Sequence, residues 1–215
     1  MYQPMLYIHW KQARLPLLPF IVAAFGLPLM SIQGLGAALG EGFVPGAYSA
    51  LNTLSLPIYP VLAFLTGVGL ALTAWNWDHQ LNHVYALSLP VARWEYSMLK
   101  MGAGVVLALI PTVALWIGAH AASLAVALPE GLQAYPNQLA FRFFLAVLLS
   151  YALVFAMASG TVKTNLWVLS GVIVAFVTGV SVLEYMGLAD VVVQFLWRAG
   201  GPFEVFTGNW ALIDV

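Results

Sequence analysis

Long apolar runs, interrupted by short polar ones, dominate the chain. A transmembrane helix needs roughly 20 apolar residues, because a rise of about 1.5 Å per residue must cross about 30 Å of hydrocarbon. Five runs meet that length, at about 15–39, 55–77, 101–128, 139–160 and 165–183. The first lies between Arg14 and Glu41, and the second stops where Asp78 opens a charged segment. Lys100 and Pro129-Glu130 bound the third, Arg142 stands near the start of the fourth, and the link TVKTN separates the fourth from the fifth. The pattern predicts an all-α polytopic membrane protein with five transmembrane helices in a single domain spanning residues 1–215.

Two further segments are apolar at one face or over a short length. In MYQPMLYIHWKQAR, the residues Tyr2, Met5, Leu6 and Trp10 recur at helical spacing beside polar ones. This predicts an amphipathic helix on the membrane surface before the first span, the alternative being a frayed terminus. The segment lacks a basic start followed directly by a short apolar core and a small-residue cleavage site, so no secretory signal is expected. In the tail, 184–215, the longest apolar stretch is Val191 to Trp197, too short to cross. It reads either as a re-entrant helix or as an interfacial one packed on the outer face. A further helix is expected beyond Ile213-Asp214-Val215.

Composition names the solvent. Hydrophobic residues make up 62% of the 215 and charged residues only 7%, where a soluble domain carries about 25% charged residues. The mean hydropathy is +0.93. That charge cannot wet a soluble globule, so a soluble fold, a disordered chain and a nucleic-acid binder are all disfavoured. The absence of cysteine removes disulfides, thiolate zinc sites and cysteine nucleophiles.

The basic residues set an orientation. With the N-terminus inside, Lys11, Arg14, Arg93, Lys100 and Lys163 fall on the cytoplasmic side and only Arg142 and Arg198 outside. Trp10, Trp75, Trp77, Trp94 and Trp167 then gather near the inner interface, as an aromatic belt would. The expectation is a multi-pass protein of the cell (inner) membrane with a cytoplasmic N-terminus.

Candidate chemistry is sparse. Arg142 is a turn from the outer end of its span and can snorkel outward. His120 lies deep in the third span, in WIGAHAAS; a lone histidine there is more often hydrogen-bonded inside the bundle than a ligand. Bis-histidine haem would need a second buried histidine, and His9, His79 and His83 sit at the cytoplasmic edge. His79 and His83 have the i,i+4 spacing of a metal pair, but no third ligand shares their face and no glutamate lies between them. Phosphate loops, nucleophile elbows and paired catalytic carboxylates are missing from the sequence, so no enzyme, no metal site and no cofactor are expected in this chain.

The most informative segment is the cytoplasmic connection 78–100, DHQLNHVYALSLPVARWEYSMLK. Asp78 can cap a short helix in which Leu81, Val84 and Tyr85 share one face and His79, Asn82 and His83 are polar. Pro90 disfavours helix at Leu89 and suits the first turn of a new one. That second helix carries Arg93, Trp94, Glu95, Tyr96 and Lys100 into the third span. A helix lying across the inner face between two spans is what a soluble motor would push on; the alternative is a lipid anchor without a partner.

At this segment the chain resembles the ABC-2 type permeases, the membrane subunits of a class of ATP-driven exporters. His83 to Lys100 carries the likeness: Leu87, Leu89-Pro90, Ala92-Arg93, Trp94, Tyr96 and Lys100, followed by Gly102 and Gly104. The resemblance implies six spans per subunit and a coupling helix, Asp78 to Leu89, docking on an ATPase. The coupling surface would comprise Asp78, His79, Leu81, His83, Val84, Leu87, Ser88, Leu89, Pro90 and Arg93. It further implies a re-entrant segment at the outer gate, here Val192, Phe195, Leu196, Gly200 and the break Gly201-Pro202, although no sixth span follows. ATP and magnesium would be bound by the partner ATPase, and the second permease half would be another copy or a homologue. Small residues such as Gly36 and Gly40 would let two halves approach closely, and the prolines 16, 19, 28, 57, 60 and 111 predict kinks.

The function expected is therefore an export permease embedded in the lipid bilayer, moving an apolar or amphipathic substrate in preference to a small ion and using ATP hydrolysed by a separate nucleotide-binding subunit. Two alternatives remain at this stage: a non-transporting scaffold whose surface helix anchors another protein, and a haem-binding electron-transfer subunit resting on His120.

Overall fold

The apolar runs fold as long helices in the computed structural model, which describes residues 2–40, 45–80, 92–125, 133–160, 162–187, 204–207 and 210–214. In chain order these are α1 (Tyr2–Gly40), α2 (Pro45–Gln80), α3 (Arg93–Ala125), β1 (Gln133–Ala134), α4 (Pro136–Ala158), α5 (Val162–Tyr185), α6 (Glu204–Thr207) and β2 (Ile213–Asp214). Four segments among the described residues are long and apolar enough to cross a membrane: Leu6–Met30, Ile58–Asn76, Trp94–Ala125 and Pro136–Ala158. The protein is an all-α membrane protein. The fifth expected run, 165–183, lies within α5.

The N-terminal segment departs from expectation. α1 runs unbroken from Tyr2 to Gly40, through Pro16, Pro19 and Pro28, so no separate surface helix precedes the first span. The physical reason is a stripe at helical spacing. His9, Ala13, Leu17, Ala24 and Pro28 are all buried along one face, and that face continues past Arg14, which is exposed. The face expected to lie on the membrane is not the packed one: Trp10 is exposed, and His9 beside it is buried.

By contact the chain forms two compact units, Met1–Phe155 with Asn209–Val215, and Ala156–Gly208. In the first, α1 packs on both α2 and α3, and α2 on α3. Small side chains recur in the interior of this bundle: Ala63, Ala71 and Ala74 on α2, Ala103, Ala108 and Ala119 on α3, Ala140 and Ala146 on α4. Leu17, Leu70, Leu115, Phe143 and Val147 are buried with them, while many other large apolar residues point out, among them Leu15, Val22 and Met30 on α1, Val61 and Leu72 on α2, and Phe141 and Leu153 on α4. Lipid solvates large apolar groups as well as a protein core does, so helix association relies on close backbone approach instead.

Glycines mark the closest approaches. A Cβ at Gly67 would sit 2.6 Å from the Val147 carbonyl oxygen and overlap the Ser150 hydroxyl, so α2 meets α4 there without room for a methyl group. Likewise a Cβ at Gly104 would overlap the Tyr151 phenol, and one at Gly118 the Phe25 backbone. Three buried hydroxyls are satisfied inside their own helices: Thr66 donates to the Leu62 carbonyl, Thr112 to Ala108 and Ser150 to Ala146. An apolar bundle without water requires such pairing.

β1 and β2 pair antiparallel, Gln133 opposite Asp214 and Ala134 opposite Ile213. The Tyr135 amide donates to the Leu212 carbonyl at 2.8 Å, and Trp210 and Leu212 are buried. The end of the tail is thereby fastened beside the start of α4. Neither strand is signalled by the sequence, since two-residue strands have no periodicity to detect.

In the second unit, α5 exposes Trp167, Val168, Val174, Val177 and Val182. Two residues past its end at Tyr185, Gly187 takes a φ of 67°, the left-handed conformation that closes helices. The Gly187 amide donates to the Glu184 carbonyl at 3.0 Å.

Candidate functional site: a buried charge cluster at the ends of the connection

The packed stripes of three helices end in polar residues at the same level. On α2 the stripe Leu62, Thr66, Leu70, Ala74 runs on to Asp78. On α3 the stripe Leu115, Ala108, Ala103 runs back to Lys100 and Tyr96, and on α1 it runs back to His9. Asp78 and Lys100 face each other, each side chain only 4% exposed, with Lys100 Nζ 2.5 Å from Asp78 Oδ2. The Tyr96 hydroxyl donates to the same carboxylate, 3.1 Å from Oδ2 and 3.2 Å from Oδ1.

The lysine is held on a further side. Its Nζ lies 4.3 Å from the centroid of the Trp75 ring and 5.1 Å from that of Tyr96, both within reach of a cation–π attraction. Trp75 in turn meets Phe155 of α4 in a tilted ring contact, centroids 5.2 Å apart, and Phe155 meets Tyr151 likewise at 5.4 Å. The Tyr151 hydroxyl reaches back to α3, 3.4 Å from each of the carbonyl oxygens of Lys100 and Met101. His9, 3% exposed, is close enough to feel the charges of both Lys100 and Asp78, and its Nε2 has no hydrogen-bond partner among the described residues.

Ions this deeply buried are tolerated only when paired and hydrogen-bonded, because an uncompensated charge costs several kcal/mol. Here the pair closes a ring. Asp78 stands two residues before the end of α2 and Lys100 two turns into α3, so the ion pair ties together the two ends of the connection.

Two readings of these residues are corrected. Asp78 does not cap a new helix: α2 continues through Gln80, and the carboxylate is engaged by Lys100 and Tyr96. Trp75 does not belong to an interfacial belt, since it is 6% exposed and covers the lysine, whereas Trp10, Trp94 and Trp167 are exposed.

Of the other expected coupling residues, Leu81, His83, Val84, Leu87, Ser88, Leu89 and Pro90 lie outside the described residues, as do Val192, Phe195, Leu196, Gly200, Gly201 and Pro202. His79 is in the last turn of α2 and Arg93 opens α3; Gly36 and Gly40 are in the last turns of α1. At the opposite end of α3, His120 Nδ1 is 3.0 Å from the Trp116 carbonyl and its ring stacks on Trp116 at 4.5 Å. That carbonyl can only accept, so the bond uses a proton on Nδ1. Among the described residues, no three of His, Asp and Glu converge on a point where a metal could sit.

Sequence reasoning missed His9, Tyr96, Trp75 and Tyr151 as parts of one cluster. A signal for its centre was present: opposite charges stand at the two ends of one connection in a chain nearly bare of charge, and buried charges pair. Comparison with known proteins adds no family: no family model, no curated protein and no solved structure matches this chain.

Proposed function

We propose that this protein is the membrane-spanning permease subunit of an ABC-2 type exporter, driven by a separate ATPase that docks on the connection 78–100. The observation that carries the reading is the junction of that connection with the bundle. Asp78 at one end and Lys100 at the other are locked in a buried ion pair, so a force applied between them reaches the packed helices directly. An anchoring loop has no need of buried charge at its base. The ABC-2-like run Leu87 to Lys100 adds the docking surface, and the apolar outward faces of α1 to α4 fit an inner-membrane location.

In this reading α5 is the fifth span, and the Lys/Arg bias puts the N-terminus and the Asp78 end in the cytoplasm. Leu87 and Arg93 belong to the docking face, Gly36 and Gly40 to the contact with a second permease half, and Val192 to Pro202 to the outer gate. The chain performs no catalysis itself; ATP and magnesium are the partner's. Isolating the protein gently from its native membrane tests the reading. A nucleotide-binding subunit in stoichiometric amount, identified by mass spectrometry, is the expected result, and its consistent absence rejects it.

A further inference from the structure

We infer that Asp78 and Lys100 act as a positioning pair: their ion pair transmits displacement of the connection into α2 and α3 together, and on to α4 through the contacts beside it, where a neutral contact would let α3 slip. The inference rests on the permease reading and adds to it the element through which the bundle responds.

Three observations combine. The pair joins the last turn of α2 to the second turn of α3, so both ends of the connection meet in one bond. Both side chains are almost fully buried, so parting them leaves two uncompensated charges in a poorly solvated place. Beside the pair, α3 meets α4 through the Tyr151 hydroxyl on the Lys100 carbonyl, and α2 meets α4 through the Trp75–Phe155 contact next to the ammonium. An ion pair has one favourable register, and through it a displacement of the connection is passed to the ends of α2, α3 and α4.

The chain contains no cysteine, so spin labels can be placed at will. Leu72 on α2 and Leu153 on α4 are exposed. Cysteines at 72 and 153 report on the bundle, and cysteines at 87 and 153 report on the connection. Distances are measured by pulsed electron paramagnetic resonance in the complex with its ATPase, nucleotide-free and then trapped with ATP and vanadate. Both pairs are expected to shift in the native background. In Asp78→Asn/Lys100→Met, which removes both charges at once, the connection still shifts but the population of shifted 72–153 distances falls at least about fivefold. In Asp78→Glu/Lys100→Arg, which keeps the charges, the shift is retained.

A neutral double variant whose 72–153 distance responds as the native one does overturns the inference. Tyr151→Phe combined with Phe155→Ala is the second variant: it leaves the ion pair and removes both contacts beside it that reach α4. An undiminished 72–153 response there overturns the inference even if the neutral double variant fails to assemble. A native complex in which neither pair moves with nucleotide rejects the permease reading, and the positioning role with it.

Discussion

The two ends of α3 are held in different ways. At the Lys100 end, opposite charges are buried and shared among α2, α3 and α4. At the other end the polar contacts are neutral and exposed: Trp116 donates its indole proton to the Asn137 side chain at 2.8 Å. Burial at that end is left to apolar groups, Trp210 and Leu212, beside the two-residue strands. One end therefore has a single permitted register, and the other is closed by contacts that tolerate adjustment. The interior mixes alanine with leucine and aromatic side chains, and among the described residues the buried ion pair stands at the Lys100 end.

The comparison can be broken most severely at the charged end. Asp78→Asn or Lys100→Met leaves a lone buried ion, and each is expected to lower stability by about 3–5 kcal/mol, read from thermal or denaturant unfolding in detergent. Removing both charges together should cost much less than the sum. If the double variant is as unstable as the two singles added, the groups do not act as a pair.

Packing comes next. Gly67→Ala places a methyl group against the Ser150 hydroxyl and the Val147 and Tyr151 backbone, and should cost about 1–3 kcal/mol by forcing α2 from α4. Gly171→Ala, on α5, meets nothing within 4 Å and serves as the control, with no loss of stability expected. Tyr96→Phe removes one hydrogen bond to a charged acceptor and should cost about 1.5 kcal/mol, within the same assay. The smallest effect belongs to the neutral end: Trp116→Phe deletes an exposed bond and should change stability by no more than about 0.5 kcal/mol. A loss at Trp116 as large as that at Lys100 would erase the contrast between the ends.

Much of the architecture is legible in residue order because lipid imposes a simple rule: a run of apolar residues of sufficient length becomes a helix. Ile58–Asn76 and Pro136–Ala158 fall within a few residues of the runs expected at 55–77 and 139–160. The rule fails where a polar residue belongs to a packed face. His9 reads as surface because hydropathy ignores its place on the stripe with Ala13 and Leu17. Asp78 reads as a cap for a related reason, since capping is a local preference, whereas its true partners are 18 and 22 residues away. Trp75 carries no mark distinguishing it from Trp94, although one covers a lysine and the other is exposed. Pairing across helices is set by register, and a single sequence gives composition and period but not register.

The central claim is that the connection between α2 and α3 receives an ATPase. The most direct measurement is the ATP hydrolysis of the complex isolated from the native membrane, compared between the native chain and chains carrying Leu87→Asp or Arg93→Glu. A nucleotide-binding subunit that accompanies the native chain, and whose stoichiometry or hydrolysis changes at least about fivefold with either substitution, is the predicted result. Purified protein without any ATPase, or an associated ATPase indifferent to both substitutions, would contradict the account.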